Sequence, residues 1–98
     1  MRELILLLSA DIDVQAAFAY YEEYQEGRGA IFLRHLETAF EQLRRFPESG
    51  ARFHRSHRRL LVPHFPYGVF YQVEARGVIV VGVIDTRQHP QSILRRLG

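Results

Sequence analysis

Ninety-eight residues suffice for one hydrophobic core and are too few for a second, so residues 1–98 are read as a single domain. With no cysteine, disulfides and thiolate zinc ligands are excluded, and a reducing cytoplasm is the expected setting. The net charge is only +2, yet residues 1–48 hold nine acidic residues against five arginines, and residues 49–98 hold eight arginines against Glu74 and Asp85.

The chain opens on a short apolar run, Leu4 to Leu8, within an expected strand Arg2–Leu8 covered on both sides. It is far below the roughly 20 residues that cross a bilayer, and it lacks the small-residue cleavage site of a secretory signal. Ser9 or Asp11 can cap the helix that follows, and Asp11 and Asp13 suit its positive end. Val14, Ala17, Phe18, Tyr21 and Tyr24 recur at helical spacing. Gly27-Arg28-Gly29 breaks the pattern, and Phe32, Leu36, Ala39, Phe40 and Leu43 resume it. Two antiparallel helices joined by a tight turn are predicted.

Pro47 ends the second helix, because proline lacks an amide donor and disfavours helical geometry at Phe46. Residues 52–59, Arg-Phe-His-Arg-Ser-His-Arg-Arg, read as an irregular basic loop. Strands are predicted at Leu60–Val62, Tyr67–Glu74 and Val78–Ile84, separated by Pro63–Pro66 and by Ala75-Arg76-Gly77. The last strand is apolar on both faces and is placed at the centre of the sheet, with Gly82 marking a bulge or a close backbone approach. Ile93, Leu94 and Leu97 give the residues after Pro90 the pattern of a helical turn. The predicted class is α+β: a strand, an antiparallel helical hairpin and a three-stranded antiparallel meander, with the helices on one face of a curved sheet and the other face free.

All thirteen basic residues other than histidine are arginine, whose planar fork matches phosphates and carboxylates and stacks on bases. A polyanion or an acidic peptide is therefore the natural partner of the second half, gathered by the meander onto one surface. The 52–59 segment is the densest cluster of cation and imidazole, with Phe53 as a stacking surface for a base. His54, His57 and His64 form only a sparse metal spacing with no cysteine or carboxylate beside them, and no metal site is predicted.

Phe46-Pro47-Glu48-Ser49-Gly50, the arginine-led strand at Arg58-Arg59, the run from Phe65 to Tyr71 (FPYGVFY) and Ile84-Asp85-Thr86-Arg87-Gln88-His89-Pro90 together resemble the RelE/ParE superfamily of toxins. The resemblance covers nearly the whole chain. It implies the toxin of a bacterial two-gene toxin–antitoxin module, also known as a plasmid-stabilisation protein, held in a hetero-oligomer by a cognate antitoxin. No cofactor and no membrane are implied. ParE-like members poison DNA gyrase and are not nucleases. RelE-like members are endoribonucleases that cut ribosome-bound mRNA, on a basic, polar sheet face that supplies acid, base and cations for the phosphorane.

The resemblance implies anion-binding roles at Arg58 or Arg59 and at Arg87. This chain departs from the family pattern at two points: Asp85 stands where a histidine is common, and His89 where an acid is common. If the chain is a ribonuclease, His89, Arg87 and Arg59 are its expected catalytic set, since imidazole can exchange a proton near neutrality. Target or nucleic-acid contact is expected from Arg52, His54, Arg55, His57, Arg58, Arg59 and Arg87, and antitoxin contact from Tyr20, Tyr24, Phe65 and Tyr67. The absence of lysine, the aromatic strand after Pro66 and Asp85 favour the ParE-like reading. A relative that only grips its antitoxin is a third possibility.

Overall fold

In the computed structural model, which describes residues 1–98, β1 (Leu4–Leu6) leads into α1 (Leu8–Tyr24) and α2 (Arg28–Arg45). There follow β2 (Ala51–His54), β3 (His57–Leu61), β4 (Tyr67–Glu74), β5 (Gly77–Asp85) and α3 (Pro90–Leu97). The strands form one sheet in the order β1-β5-β4-β3-β2, with β1 parallel to β5 and every other pair antiparallel. The α+β class and the helical hairpin agree with the sequence. No helix is long and apolar enough to cross a membrane.

Four details correct the sequence reading. The meander has four strands, because the segment read as a basic loop is the β2–β3 hairpin, with Ala51, Arg52 and His54 paired to Arg59, Arg58 and His57. No apolar alternation marks it, so periodicity could not find it. β1 is a half-buried edge strand of three residues, and the sheet's middle position belongs to β4, with β5 between it and β1. Neither Ser9 nor Asp11 caps α1: its N-cap is Leu7, with no side-chain bond. Lastly, the sheet face expected to be free is covered in part by α3, whose buried Ile93 packs with Phe70 and Ile84.

The side chains near the start of α1 act on the sheet instead. β1 ends opposite Val80, leaving the outer edge of β5 without a strand. There the Ser9 hydroxyl donates to the Val81 carbonyl at 2.9 Å, and the Asp13 carboxylate accepts from the Val83 amide at 3.0 Å. Backbone groups that lack a ladder partner are thereby satisfied. Asp13 also accepts from Arg96 of α3 at 2.8 Å, tying α1, β5 and α3 together. At the hairpin turn, Glu22 accepts from the amides of Gly27 and Gly29 at 2.9 and 3.0 Å, placing a carboxylate at the positive end of α2.

The main core lies between the helical hairpin and the sheet. Val14, Ala17 and Tyr21 of α1 and Phe32, Leu36, Phe40 and Leu43 of α2 meet Val69 and Tyr71 of β4 and Val78, Val80 and Val83 of β5. Each such large side chain contributes about 1.5–3 kcal/mol by leaving water. Val80 and Val83 share this face despite an odd spacing, because the register shifts between Phe70/Gly82 and Tyr71/Val80 and leaves Val81 as the extra residue of a bulge.

A polar clamp fixes the loop after α2. The Tyr71 hydroxyl, wholly buried, accepts from the Gly50 amide at 3.0 Å. From β3, Arg58 Nη1 donates to the carbonyls of Gly50 and Glu48 at 2.8 and 3.1 Å. Gly50 has no room for a side chain, since a Cβ would come 2.6 Å from Tyr71 Oη and 2.9 Å from the Arg59 carbonyl.

Tyr71→Phe should lower unfolding free energy by about 1–3 kcal/mol, the cost of a buried amide left without an acceptor. Gly50→Ala should cost about 1–3 kcal/mol through overpacking. In denaturant titrations the double variant should cost less than the two single changes added, because removing the hydroxyl also removes the shortest of the three close contacts. Strict additivity would mean that the clamp does not exist.

Candidate functional site

Alternation along β3 sends its two arginines to opposite sides of the sheet. Arg58 pairs with Tyr71 and so lies on the helix side, whereas Arg59 pairs with Phe70 and lies on the α3 side. The guanidinium of Arg59 sits 5.5 Å over the Phe53 ring, and Phe53 meets Phe70 edge-on at 5.1 Å. The α3 face is therefore filled by Phe53, Phe70, Ile84 and Ile93, with Arg59 as its one cation on β3. The guanidinium groups expected on one surface are thus divided between the two sheet faces.

Of His89, Arg87 and Arg59, the first two are each held by a local partner. His89 is the N-cap of α3, its Nδ1 accepting from the Gln91 amide at 3.1 Å. Arg87 is clamped to Asp85 through Nε at 3.0 Å and Nη2 at 2.7 Å, and its amide donates to the same carboxylate at 2.9 Å. These bonds hold the Asp85 carboxyl below its ordinary range, and the carboxylate in turn raises Arg87. One ring nitrogen of His89 is thus spent on the cap, and the Arg87 charge is directed at Asp85 rather than at a bound anion.

Arg52, His54, Arg55, His57 and Arg58 stand together on the β2–β3 hairpin. Arg52 and Arg55 are exposed with no hydrogen-bond partner on the chain, while Arg58 belongs to the clamp. His57 is buried with an unpartnered Nδ1, and burial lowers its pKa, which favours the neutral ring. His64 lies at the other end of β3, 4.9 Å ring to ring from His35, so His54, His57 and His64 are not gathered.

A second constellation forms where α1, the β3–β4 loop and the end of β5 meet. The Thr86 amide and hydroxyl both donate to the Pro66 carbonyl, at 2.8 and 3.1 Å, pinning that loop beside Arg87. The result is a cleft of about 240 Å³ whose walls include Tyr20, Tyr24, Arg28, His64, Phe65 and Arg87. Arg28 lies 5.3 Å over the Phe65 ring, and its Nε is buried with no acceptor. Tyr67 stands outside the cleft lining, in an aromatic cluster with Tyr21 and Phe32. Burial raises the hydroxyls of Tyr21 and Tyr67 above the ordinary tyrosine value, so they stay protonated near neutrality.

From this cleft an exposed apolar row follows α1 at every fourth residue. Leu8 is 74% exposed, Ile12 58%, Tyr20 59% and Tyr24 75%, with exposed Ala16 between. Residues four apart are neighbours on a helix surface, so these form one ridge. Sequence reading found Tyr20 and Tyr24 but missed Leu8, Ile12, Ala16, Arg28 and His64. The fourfold spacing from Leu8 was a usable signal, hidden because Leu8 was assigned to the first strand.

The model of the ParE toxin of the type II toxin–antitoxin system parDE matches residues 4–90. No curated protein matches the chain. A solved chain from the chromosomal ParDE toxin–antitoxin system of P. aeruginosa superimposes with a TM-score of 0.78 at 14% identity, covering 89% of this chain and 98% of that one. At that identity the likeness speaks to the fold alone, while the family match extends over most of the sequence. This chain belongs to the ParE toxin family of type II toxin–antitoxin systems.

Proposed function

We propose that the chain inhibits growth by poisoning DNA gyrase, and that a cognate antitoxin neutralises it by covering the α1 ridge and the adjoining basic cleft. One observation carries the gyrase reading. The sheet face on which a RelE-like toxin would need a polar, basic surface holds Phe53, Phe70, Ile84 and Ile93 under α3. Of the three residues that would serve a ribonuclease, His89 caps α3 and Arg87 is ion-paired to Asp85. Such a face offers no convergent acid and base for an attack by a 2′-hydroxyl.

Support for the antitoxin surface comes from exposure and charge together. An apolar ridge of five residues along one helix is suited to an amphipathic partner segment. At its end, Arg28 with its unpartnered Nε and His64 suit an acidic stretch of that segment, beside an Arg87 already paired to Asp85. Tyr20 and Tyr24 are the expected anchors, since exposed aromatic side chains carry much of the energy of protein interfaces.

With purified gyrase, the toxin should block supercoiling and accumulate cleaved DNA, while translation reactions containing ribosomes should yield no message fragments. Message cleavage that is lost in His89→Ala or Arg87→Ala would replace this reading with the endoribonuclease one. Normal growth on expression of the chain alone would leave only antitoxin binding.

Ile12→Asp combined with Tyr24→Ala should weaken antitoxin binding by roughly a hundredfold, the effect of losing one or two interface anchors. Both residues are exposed, so thermal unfolding should be nearly unchanged. Calorimetric titration with the cognate antitoxin measures the effect, and unaltered affinity would move the interface elsewhere.

A further inference from the structure

We propose that the helix-side face of the β2–β3 hairpin is a site for the phosphate backbone of duplex DNA, so that the toxin grips the DNA on which gyrase acts as well as the enzyme. The setting rests on the gyrase reading, but the site itself follows from charge and geometry.

Arg52 and Arg58 are directly opposed across the hairpin. Like charges in that position repel, and a bound anion relieves the repulsion. Arg55, at the tip, has φ 54, a left-handed conformation that two-residue hairpin turns usually reserve for glycine or asparagine. The chain thus tolerates strain to hold an exposed arginine at the end of the ribbon. The three arginines, with Ser56 and His57, line a cleft of about 220 Å³ beside the loop after α2. Glu48 is its single carboxylate and pairs with none of them.

Arginines elsewhere on the molecule are mostly neutralised. Arg44, Arg45, Arg76, Arg87 and Arg96 all form ion pairs with carboxylates, whereas none on the hairpin does. Arg58 is aimed by its bonds to the Glu48 and Gly50 carbonyls. Arg52 and Arg55 have no partner and can turn toward successive phosphates. A two-stranded ribbon fits the B-DNA major groove, while the major groove of duplex RNA is too narrow for it. Charge-driven contact of this kind tolerates any sequence and weakens steeply with salt.

The test is a fluorescence anisotropy titration of the purified full chain with labelled duplex DNA of mixed sequence, over a series of salt concentrations. The wild type should bind with log K falling linearly against log salt. Arg52→Gln with Arg55→Gln should reduce affinity at low salt by on the order of tenfold and lower the slope by about two, near 0.9 for each phosphate no longer neutralised. Arg34→Gln, an exposed and unpaired arginine on α2, removes the same kind of charge elsewhere and should leave slope and affinity close to wild type. No binding by the wild type, an unchanged slope in the double variant, or tighter binding to polyglutamate or to single-stranded RNA would overturn the proposal. A supercoiling assay on the same proteins separates the two readings. Inhibition of gyrase without DNA binding removes this site and keeps the gyrase reading, while DNA binding without inhibition does the reverse.

Discussion

The hydroxyl of Tyr71 is the contact through which the two halves of this fold are registered. It stands in the core between helices and sheet, yet it accepts a hydrogen bond from Gly50, outside the regular elements. That bond, with Arg58 on the adjacent carbonyls, fixes where the chain leaves α2 and enters β2. The hairpin arginines therefore present themselves at a defined angle to the end of α2. A phenol can do this in an apolar layer because it is neutral near pH 7, and burial raises its pKa further.

The same economy separates the functional surfaces. The sheet directs Arg58 to one side and Arg59 to the other, and the two then have unrelated work: one completes the clamp and one lies over an aromatic ring. Arg87, at the end of β5, is turned by Asp85 toward the tyrosines of α1. Cationic character that looks continuous along the sequence is thus divided among the hairpin, the tyrosine cleft and the α3 face. The long exposed ridge of α1 lies apart from the hairpin, leaving room for a protein partner on one and a polyanion on the other.

Much of the architecture was legible because the hydrophobic period changes with the element. Spacing from Val14 to Leu43 marks both helices, and the β-branched run from Val78 marks the interior strand, whose bulge falls at Val81, next to the Gly82 that hints at it. β2 was not legible, since Arg52, Phe53 and His54 show no buried alternation; the strand exists through its pairing with β3. The face of each arginine was hidden for a related reason, because only the register of β3 against β4 distinguishes Arg58 from Arg59. Tyr20 and Tyr24 could be picked from excess aromatic character. Arg28 and His64 could not, because the cleft that unites them is assembled from a helix turn, a loop and a strand end distant in sequence.

The outermost strand of the sheet also governs how copies of the chain meet. β2 is short, bears Arg52 beside a register shift at Phe53, and ends in the charged turn at Arg55. The opposite margin is no more inviting, with three residues of β1 and then a stretch of β5 already occupied by Ser9 and Asp13. Unpaired strand margins invite a second molecule to join edge to edge, and charge and irregularity discourage it. Fusing two sheets at the β2 margin would set the arginines of one copy against those of the other.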